Sequence, residues 1–182
     1  MEKTAKIYSF PDSHASKAPT QAPEPVAAVR PVFPSPAEVE ELLTIFATQH
    51  FEYGFTSPAD RFIANLFRIY HKATGECLHK IFWAHYTDRR IRTGLLQAMA
   101  HIDYTDIAVH GIVMVQAALA AHTDAEVVEC GIRALENWGN RESLQILKIA
   151  ATYPSYTGWL QNYLQQVIED LEKELADHAT PG

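Results

Sequence analysis

The sequence has few of the residues that build small secreted domains or membrane proteins. Its 182 residues include only two cysteines, Cys77 and Cys130, so a framework of several disulfides is excluded. No apolar run approaches the roughly 20 residues that a helix needs to cross a bilayer. The N-terminus is polar and charged and does not have the hydrophobic stretch of a secretory signal. These absences favour a cytoplasmic protein that does not insert into a membrane.

Motifs of the common catalytic and metal sites are also absent. The chain has no Gly-x-Ser-x-Gly, no phosphate-binding glycine loop and no His-Glu-x-x-His. One Glu-x-x-His step, Glu76 to His79, matches half of a di-iron site, but the second copy that such sites need is not present. Both cysteines lie in apolar helical patterns, which predicts small core residues rather than nucleophiles. The sequence therefore predicts no catalytic residue, no metal site and no cofactor.

Proline is concentrated at the start of the chain, where six prolines fall within residues 1–34 among Ala, Ser, Thr and Gln. Such a segment cannot bury enough apolar area to offset its ordering entropy, which predicts a disordered leader over 1–34. Within it Ile7, Tyr8 and Phe10 form either a short partner-binding motif or a chance cluster. The remainder divides into a helical domain, 35–176, and a flexible C-terminus, 177–182.

Helix signals begin directly after the leader. Ser-Pro-x-Glu at 35–38 and Ser-Pro-x-Asp at 57–60 each combine an N-cap, a proline in the first turn and a capping-box acid. Gly75 is expected to end the second helix. A later helix, 107–121, is apolar nearly all round and is expected to be buried on more than one side, whereas the last helix, 158–175, has a single apolar stripe.

Thr-Asp pairs recur with a spacing of 18 residues, at 87–88, 105–106 and 123–124. Because Thr and Asp side chains accept bonds from the free N–H groups of a first turn, each pair is expected to begin a helix. Two such steps make a hairpin of 36 residues, within the range of helical repeats. Superposing Asp88 on Asp124 pairs apolar residues at five further positions: Ile91 with Val127, Leu96 with Ile132, Ala98 with Ala134, Met99 with Leu135, and Ile102 with Trp138.

The segment from Asp124 to Leu147 resembles a HEAT-type repeat. It opens with an Asp and a β-branched pair, turns on Gly139-Asn140 and continues into a second apolar helix. The match is weaker over 88–122, where Asp103-Tyr104-Thr105 stands in place of the glycine turn. The resemblance implies an all-α, HEAT-like solenoid of about three helical hairpins behind the leader, and the alternative is an irregular helical bundle. It implies almost nothing about activity.

Charge is unevenly distributed along the chain. Residues 58–102 carry seven Arg or Lys against three acids, a net of +4, whereas residues 103–182 carry four against twelve, a net of −8. The basic segment is either an ordinary solvated surface or a face that binds phosphates or an acidic protein. Spacings of 7 and 11 predict that Arg61, Arg68 and Lys72 share one helical face. The partner-binding candidates are Arg61, Arg68, Lys72, Arg89, Arg90 and Arg92.

Three functional hypotheses follow from this sequence. The leading one is a non-enzymatic protein-protein interaction module, an adaptor or a regulator or inhibitor subunit of a larger complex. The alternative is a nucleic-acid-binding protein that uses segment 58–102. The third is a DNA glycosylase, because some glycosylases for alkylated purines are built from HEAT-like repeats with aromatic and acidic catalytic residues. Trp83, Trp138, Asp103 and Asp106 are residues of those types, although they do not align with that family's pattern.

Overall fold

The chain is all-α in the residues that a computed structural model describes, which are 32–49, 55–121, 123–153, 156 and 158–178. They form eight helices: α1 (Pro36–Thr48), α2 (Pro58–Tyr70), α3 (Lys72–Ala84), α4 (Arg89–Met99), α5 (Tyr104–Leu119), α6 (Ala125–Trp138), α7 (Arg141–Ala150) and α8 (Trp159–Asp177). Residues 1–31 of the leader predicted over 1–34 lie outside the described residues, as does the motif at Ile7, Tyr8 and Phe10. Residues 32–34 are described: Val32 and Phe33 are exposed, whereas Pro34 is buried.

The first two helices begin where the Ser-Pro signals predict. The Ser35 hydroxyl accepts a bond from the Glu38 N–H, and the Glu38 carboxylate accepts one from the Ser35 N–H, which completes a capping box. Ser57 and Asp60 repeat the arrangement at the start of α2. Each box satisfies N–H groups that have no partner within the helix, so the polar signal sets the first turn.

Aspartates begin three of the later helices, but not at the predicted interval. Asp88 caps α4 and Asp124 caps α6, as expected. The second Thr-Asp pair, 105–106, is wrong as a helix start: α5 begins at Tyr104, and Asp103 is its cap. The Asp103 carboxylate accepts bonds from both the backbone N–H and the hydroxyl of Thr105, so Thr105 is a donor inside the first turn. The 36-residue interval between Asp88 and Asp124 holds, whereas the 18-residue step does not.

The junction of α2 and α3 also differs from the prediction. Gly75 does not end α2; it is buried inside α3, where an added Cβ would lie 3.2 Å from Cδ2 of His110 on α5. The chain instead breaks at His71, which has a φ of 51°. A non-glycine residue in this region is uncommon, and the packing of α2 and α3 on either side holds it there.

Consecutive and alternate helices pack against each other and enclose one continuous core. α6 packs against both α5 and α4, α3 packs against α5 and α2, and α1 packs against α4. α8 packs against α6 and α7. Four of the five residue pairs matched across 36 positions are buried in both helices. The fifth is not equivalent, since Ile102 follows the end of α4 and is half-buried. Gly139, with a φ of 57°, makes the predicted turn between α6 and α7.

The expected burial of residues 107–121 on more than one side is wrong. One side of α5 packs into the core through Ile107, Met114 and Val115. The other side is open, and Val109 is 82% exposed. The last helix, in contrast, has the predicted single stripe, with Leu160, Leu164, Val167 and Leu171 buried among its apolar residues.

In the described part of the chain, no helix combines the length and the apolar character needed to span a membrane.

Candidate functional site

An aromatic pair stands exposed at the C-terminal end of α3. The Trp83 and Tyr86 rings stack with their centroids 5.2 Å apart and their planes 17° from parallel. Trp83 is 43% exposed, and Tyr86 is also exposed. Phe82, fully buried, meets both rings edge-on and anchors the pair to the core. Two large aromatic side chains are thus held rigidly at the surface.

A histidine pair joins these aromatic residues to α5. The Trp83 Nε1–H donates a hydrogen bond of 2.8 Å to Nε2 of His79, one turn earlier in α3. The His79 ring lies 5.3 Å from the His110 ring, centroid to centroid. His110 stands next to the exposed Val109 and one turn before Val113, which is also exposed. We call the six residues His79, Trp83, Tyr86, Val109, His110 and Val113 the aromatic face.

The fold brings the two helices of this face close together. Gly75, one turn before His79, leaves room for the His110 and Ile107 side chains of α5. At the far end, the Arg92 guanidinium of α4 lies 4.9 Å from the centroid of the Tyr86 ring. The aromatic face is therefore supported from α4 and α5, and its rings do not depend on α3 alone for their position.

The environment of His79 favours its neutral form. Partial burial lowers the pKa of His79 from its ordinary value of 6.5, the neighbouring His110 lowers it further, and Glu76 partly opposes both effects. A ring nitrogen that accepts a hydrogen bond carries no proton. The bond from Trp83 therefore requires that Nε2 of His79 is unprotonated, which makes the imidazole neutral. Geometry and electrostatics thus agree on the protonation state of this residue.

Two of the predicted binding arginines form contacts inside the domain. Arg92 is 7% exposed, and its Nη2 lies 3.5 Å from Oδ2 of Asp124, the cap of α6. Arg89 pairs with Glu126 at 3.0 Å and approaches Asp124 at 3.6 Å. Both side chains therefore connect the first turn of α4 to the first turn of α6, and Arg92 is not accessible to a partner.

The other basic candidates lie on the surface. Arg90 is exposed in the first turn of α4. Arg61 and Arg68 are exposed on α2, and Arg68 donates to Asn65 at 2.8 Å. Lys72 is exposed too, but it begins α3 after the break at His71, so the prediction of one shared helical face was wrong. These charges do not form a single helical stripe.

The residues considered for glycosylase chemistry are only partly brought together. Asp103 and Asp106 line a cleft of about 250 Å³ with Asp60 and His101, whose Oδ1 and Nδ1 atoms are 3.1 Å apart. Trp138 borders a second, shallower cleft that shares Asp103 and His101. It is buried and packs edge-on against Tyr104, so its indole is a core residue. Trp83 belongs to the aromatic face, and the four residues do not form one site.

Neither cysteine has the environment of a nucleophile. Cys77 and Cys130 are both buried, and burial raises the pKa of the Cys77 thiol above its ordinary value. In the part of the chain that the structure describes, no group of three or more His, Cys, Asp or Glu side chains is placed to hold a metal ion.

Sequence reasoning missed the aromatic face, although two signals pointed to it. The helix around 107–119 has more apolar positions than one core-facing stripe needs, and the excess falls on Val109 and Val113. His79 and Trp83 are four residues apart, the spacing at which two helical side chains meet. Reading both as signs of an exposed surface would have required knowledge of which side of each helix the neighbouring helices cover.

Comparison with known proteins gives no match: no family model, no curated protein and no solved structure resembles this chain significantly.

Proposed function

We propose that this protein is a non-enzymatic protein-protein interaction module, an adaptor or a regulatory or inhibitory subunit, that binds its partner through the aromatic face. The observation that carries the proposal is the exposure of Trp83 and Tyr86 at the end of α3, with Val109 and Val113 exposed on the neighbouring helix α5. Clustered exposed apolar side chains mark interaction sites on folded proteins. Trp and Tyr are also the residues that most often dominate binding energy at interfaces.

The partner is an apolar protein segment flanked by acidic residues. Trp83, Val109 and Val113 supply apolar contact area. Lys80 on α3 and Arg90 on α4 are exposed cations that lie close in sequence to Trp83 and Tyr86. Residues 58–102, which include α3, α4 and three of the six residues of the aromatic face, carry a net charge of +4, part of which is the two arginines that pair with acids at the start of α6. Opposite charge on the partner speeds association and excludes partners of the wrong sign.

The scaffold behind this face is a HEAT-like stack of helical hairpins. Three observations support that arrangement: α4 and α6 start 36 residues apart on equivalent aspartate caps, they bury equivalent residues, and they pack against each other. The corresponding contact of α3 with α5 is the one that the second layer of such a stack requires. Stacked hairpins present long surfaces, which suits a binding protein without chemistry of its own.

Photo-crosslinking in the native host tests the proposal. A photoreactive amino acid replaces Val109, which is 82% exposed within the face; a control places it at Ile149, which is 51% exposed on α7. We expect one protein to crosslink from position 109 and not from position 149. Trp83→Ala should abolish that crosslink, whereas Trp159→Ala, which removes a tryptophan 55% exposed on α8, should leave it unchanged.

The captured protein is then purified and titrated against the wild-type chain. Binding that is lost in Trp83→Ala and weakens as salt rises supports an acidic, apolar partner. Equal crosslinking from positions 109 and 149, or full binding by Trp83→Ala, would show that the aromatic face is not the interface. A nucleic acid recovered from position 109 in place of a protein would favour the alternative function.

A further inference from the structure

We propose that His79 and His110 form a proton-sensitive latch that holds Trp83 in its binding position, so that mild acid weakens the interaction. The inference rests on the proposed function, because the latch regulates the same aromatic face. Its structural basis is the hydrogen bond from Trp83 Nε1 to His79 Nε2 and the close approach of the two imidazole rings.

The bond between Trp83 and His79 exists only while His79 is neutral. An indole nitrogen can only donate, so Nε2 of His79 must offer a lone pair, and the ring proton is then on Nδ1. When His79 gains a second proton, both nitrogens become donors and the indole loses its acceptor. Trp83 then keeps its stacking on Tyr86 but loses the hydrogen bond that holds its indole against His79.

His110 moves the response of the latch to lower pH. Its ring lies 5.3 Å from that of His79, across the gap between α3 and α5, and it lowers the pKa of His79. Because this gap separates the Trp83 side of the face from the Val109 side, a charge gained by His79 lies between the two halves. Histidine is the residue whose charge changes in the pH range that cells use for such switches.

The surrounding charges allow this response. On α3, Glu76 favours protonation of His79, but Glu76 is also paired with Lys80 at 2.8 Å. On α5, Asp106 lies one turn before His110 and faces the cleft of Asp60. α2 and α4 also pack against α3, and among the neighbouring groups His110 lowers the pKa of His79 while Glu76 raises it. Arg92 of α4 lies over Tyr86 and is held by Asp124.

Tryptophan fluorescence measures the latch without any partner. In a Trp159→Phe background the remaining tryptophans are Trp83 and the buried Trp138, so acrylamide quenching reports mainly on Trp83. We expect the quenching constant to rise as the pH falls from 8 to 5, with a midpoint below 6.5, the ordinary pKa of His. The midpoint lies below that value because burial and His110 both disfavour the proton on His79.

Three variants test the assignment. His79→Gln keeps an acceptor oxygen that does not titrate, so quenching should become independent of pH. His110→Gln removes the repulsion, so the midpoint should move upward. Trp83→Phe, with Trp159 retained, should show no step. Circular dichroism at each pH verifies that the helices remain folded. A step that persists in His79→Gln, or its absence from the parent, would overturn the latch.

The crosslink from position 109 separates failure of the latch from failure of the proposed function. With the captured partner purified, the yield of the crosslink should fall between pH 7.5 and 5.5 in the parent. In His79→Gln the yield should stay constant over the same range. A yield that depends on Trp83 but not on pH would reject the latch and leave the interface intact. If the fluorescence step is present but the crosslink is unchanged in Trp83→Ala, the interface is rejected. The proton-dependent contact between Trp83 and His79 would then still be supported.

Discussion

The contact between α4 and α6 and the face formed by α3 and α5 are built from similar helices but differ in exposure. The first is buried, whereas the second lies partly at the surface. Between α4 and α6, buried apolar residues are sealed at the helix starts by Arg89 and Arg92 with Asp124. On α3 and α5, apolar and aromatic residues remain at the surface. Two of the charges that suggested a binding surface, Arg89 and Arg92, therefore form contacts inside the domain, and apolar residues of α5 that suggested a core are exposed.

The largest expected effect comes from the sealed side. Leu135 in α6 is fully buried, and Leu135→Ala should lower the free energy of unfolding by about 2–5 kcal/mol, because the neighbouring helices cannot collapse into the cavity. Urea denaturation followed by circular dichroism measures the change. The matched substitution on the open side, Val109→Ala, should change stability by less than about 0.5 kcal/mol. Equal losses in the two variants would remove the contrast between the two regions.

A smaller difference is expected between two aspartate caps. Asp88→Ala removes the cap of α4 and should cost about 0.5–2 kcal/mol. Asp124→Ala removes the cap of α6 and also leaves the buried Arg92 without its carboxylate, so it should cost at least about 1 kcal/mol more. Thermal and urea unfolding of the two variants give this difference.

The Asp124→Asn variant separates the two roles of the residue. Asn retains the capping oxygen but not the charge, so this variant isolates the ion pair with Arg92. If Asp124→Asn and Asp124→Ala are both as mild as Asp88→Ala, the ion pair does not stabilise the contact between α4 and α6.

A small effect on stability is also expected from the exposed cations. Replacing Arg61, Arg68 and Lys72 together with Ser should leave the free energy of unfolding within about 1 kcal/mol of the parent, since exposed charges contribute little. We also expect no binding of duplex DNA, single-stranded DNA or RNA by the parent in a fluorescence-anisotropy titration at low salt. Binding that weakens steeply with salt and disappears in the triple variant would instead favour the nucleic-acid function.

Local sequence signals were sufficient for most helix starts and for the recurring core pattern. The capping boxes at Ser35 and Ser57 and the caps at Asp88 and Asp124 act within one turn, so the residues that determine them are adjacent in the chain. Buried positions that repeat every 36 residues, as Met99 and Leu135 do, were predictable for a related reason: each helix needs one apolar stripe to pack.

The candidate site depended on contacts between residues far apart in the chain. The pairing of Arg92 with Asp124 spans 32 positions, and no local pattern distinguishes it from a solvated arginine. The break at His71 placed Lys72 on a different helix from Arg68, and the prediction of a shared face failed for that reason. Composition alone also gave no reason to separate Trp83, which is exposed, from Trp138, which is buried.

By itself the sequence determined where most helices begin, which stripe of each is apolar and where charge is concentrated, because these depend on side chains within a few residues of one another. The tertiary structure alone decided which apolar residues are covered and which cations are neutralised. α5 has apolar residues on both sides, and only its neighbours determine that Ile107 is buried and Val109 exposed. Burial is a property of packed pairs of helices, so a single helix sequence cannot specify it.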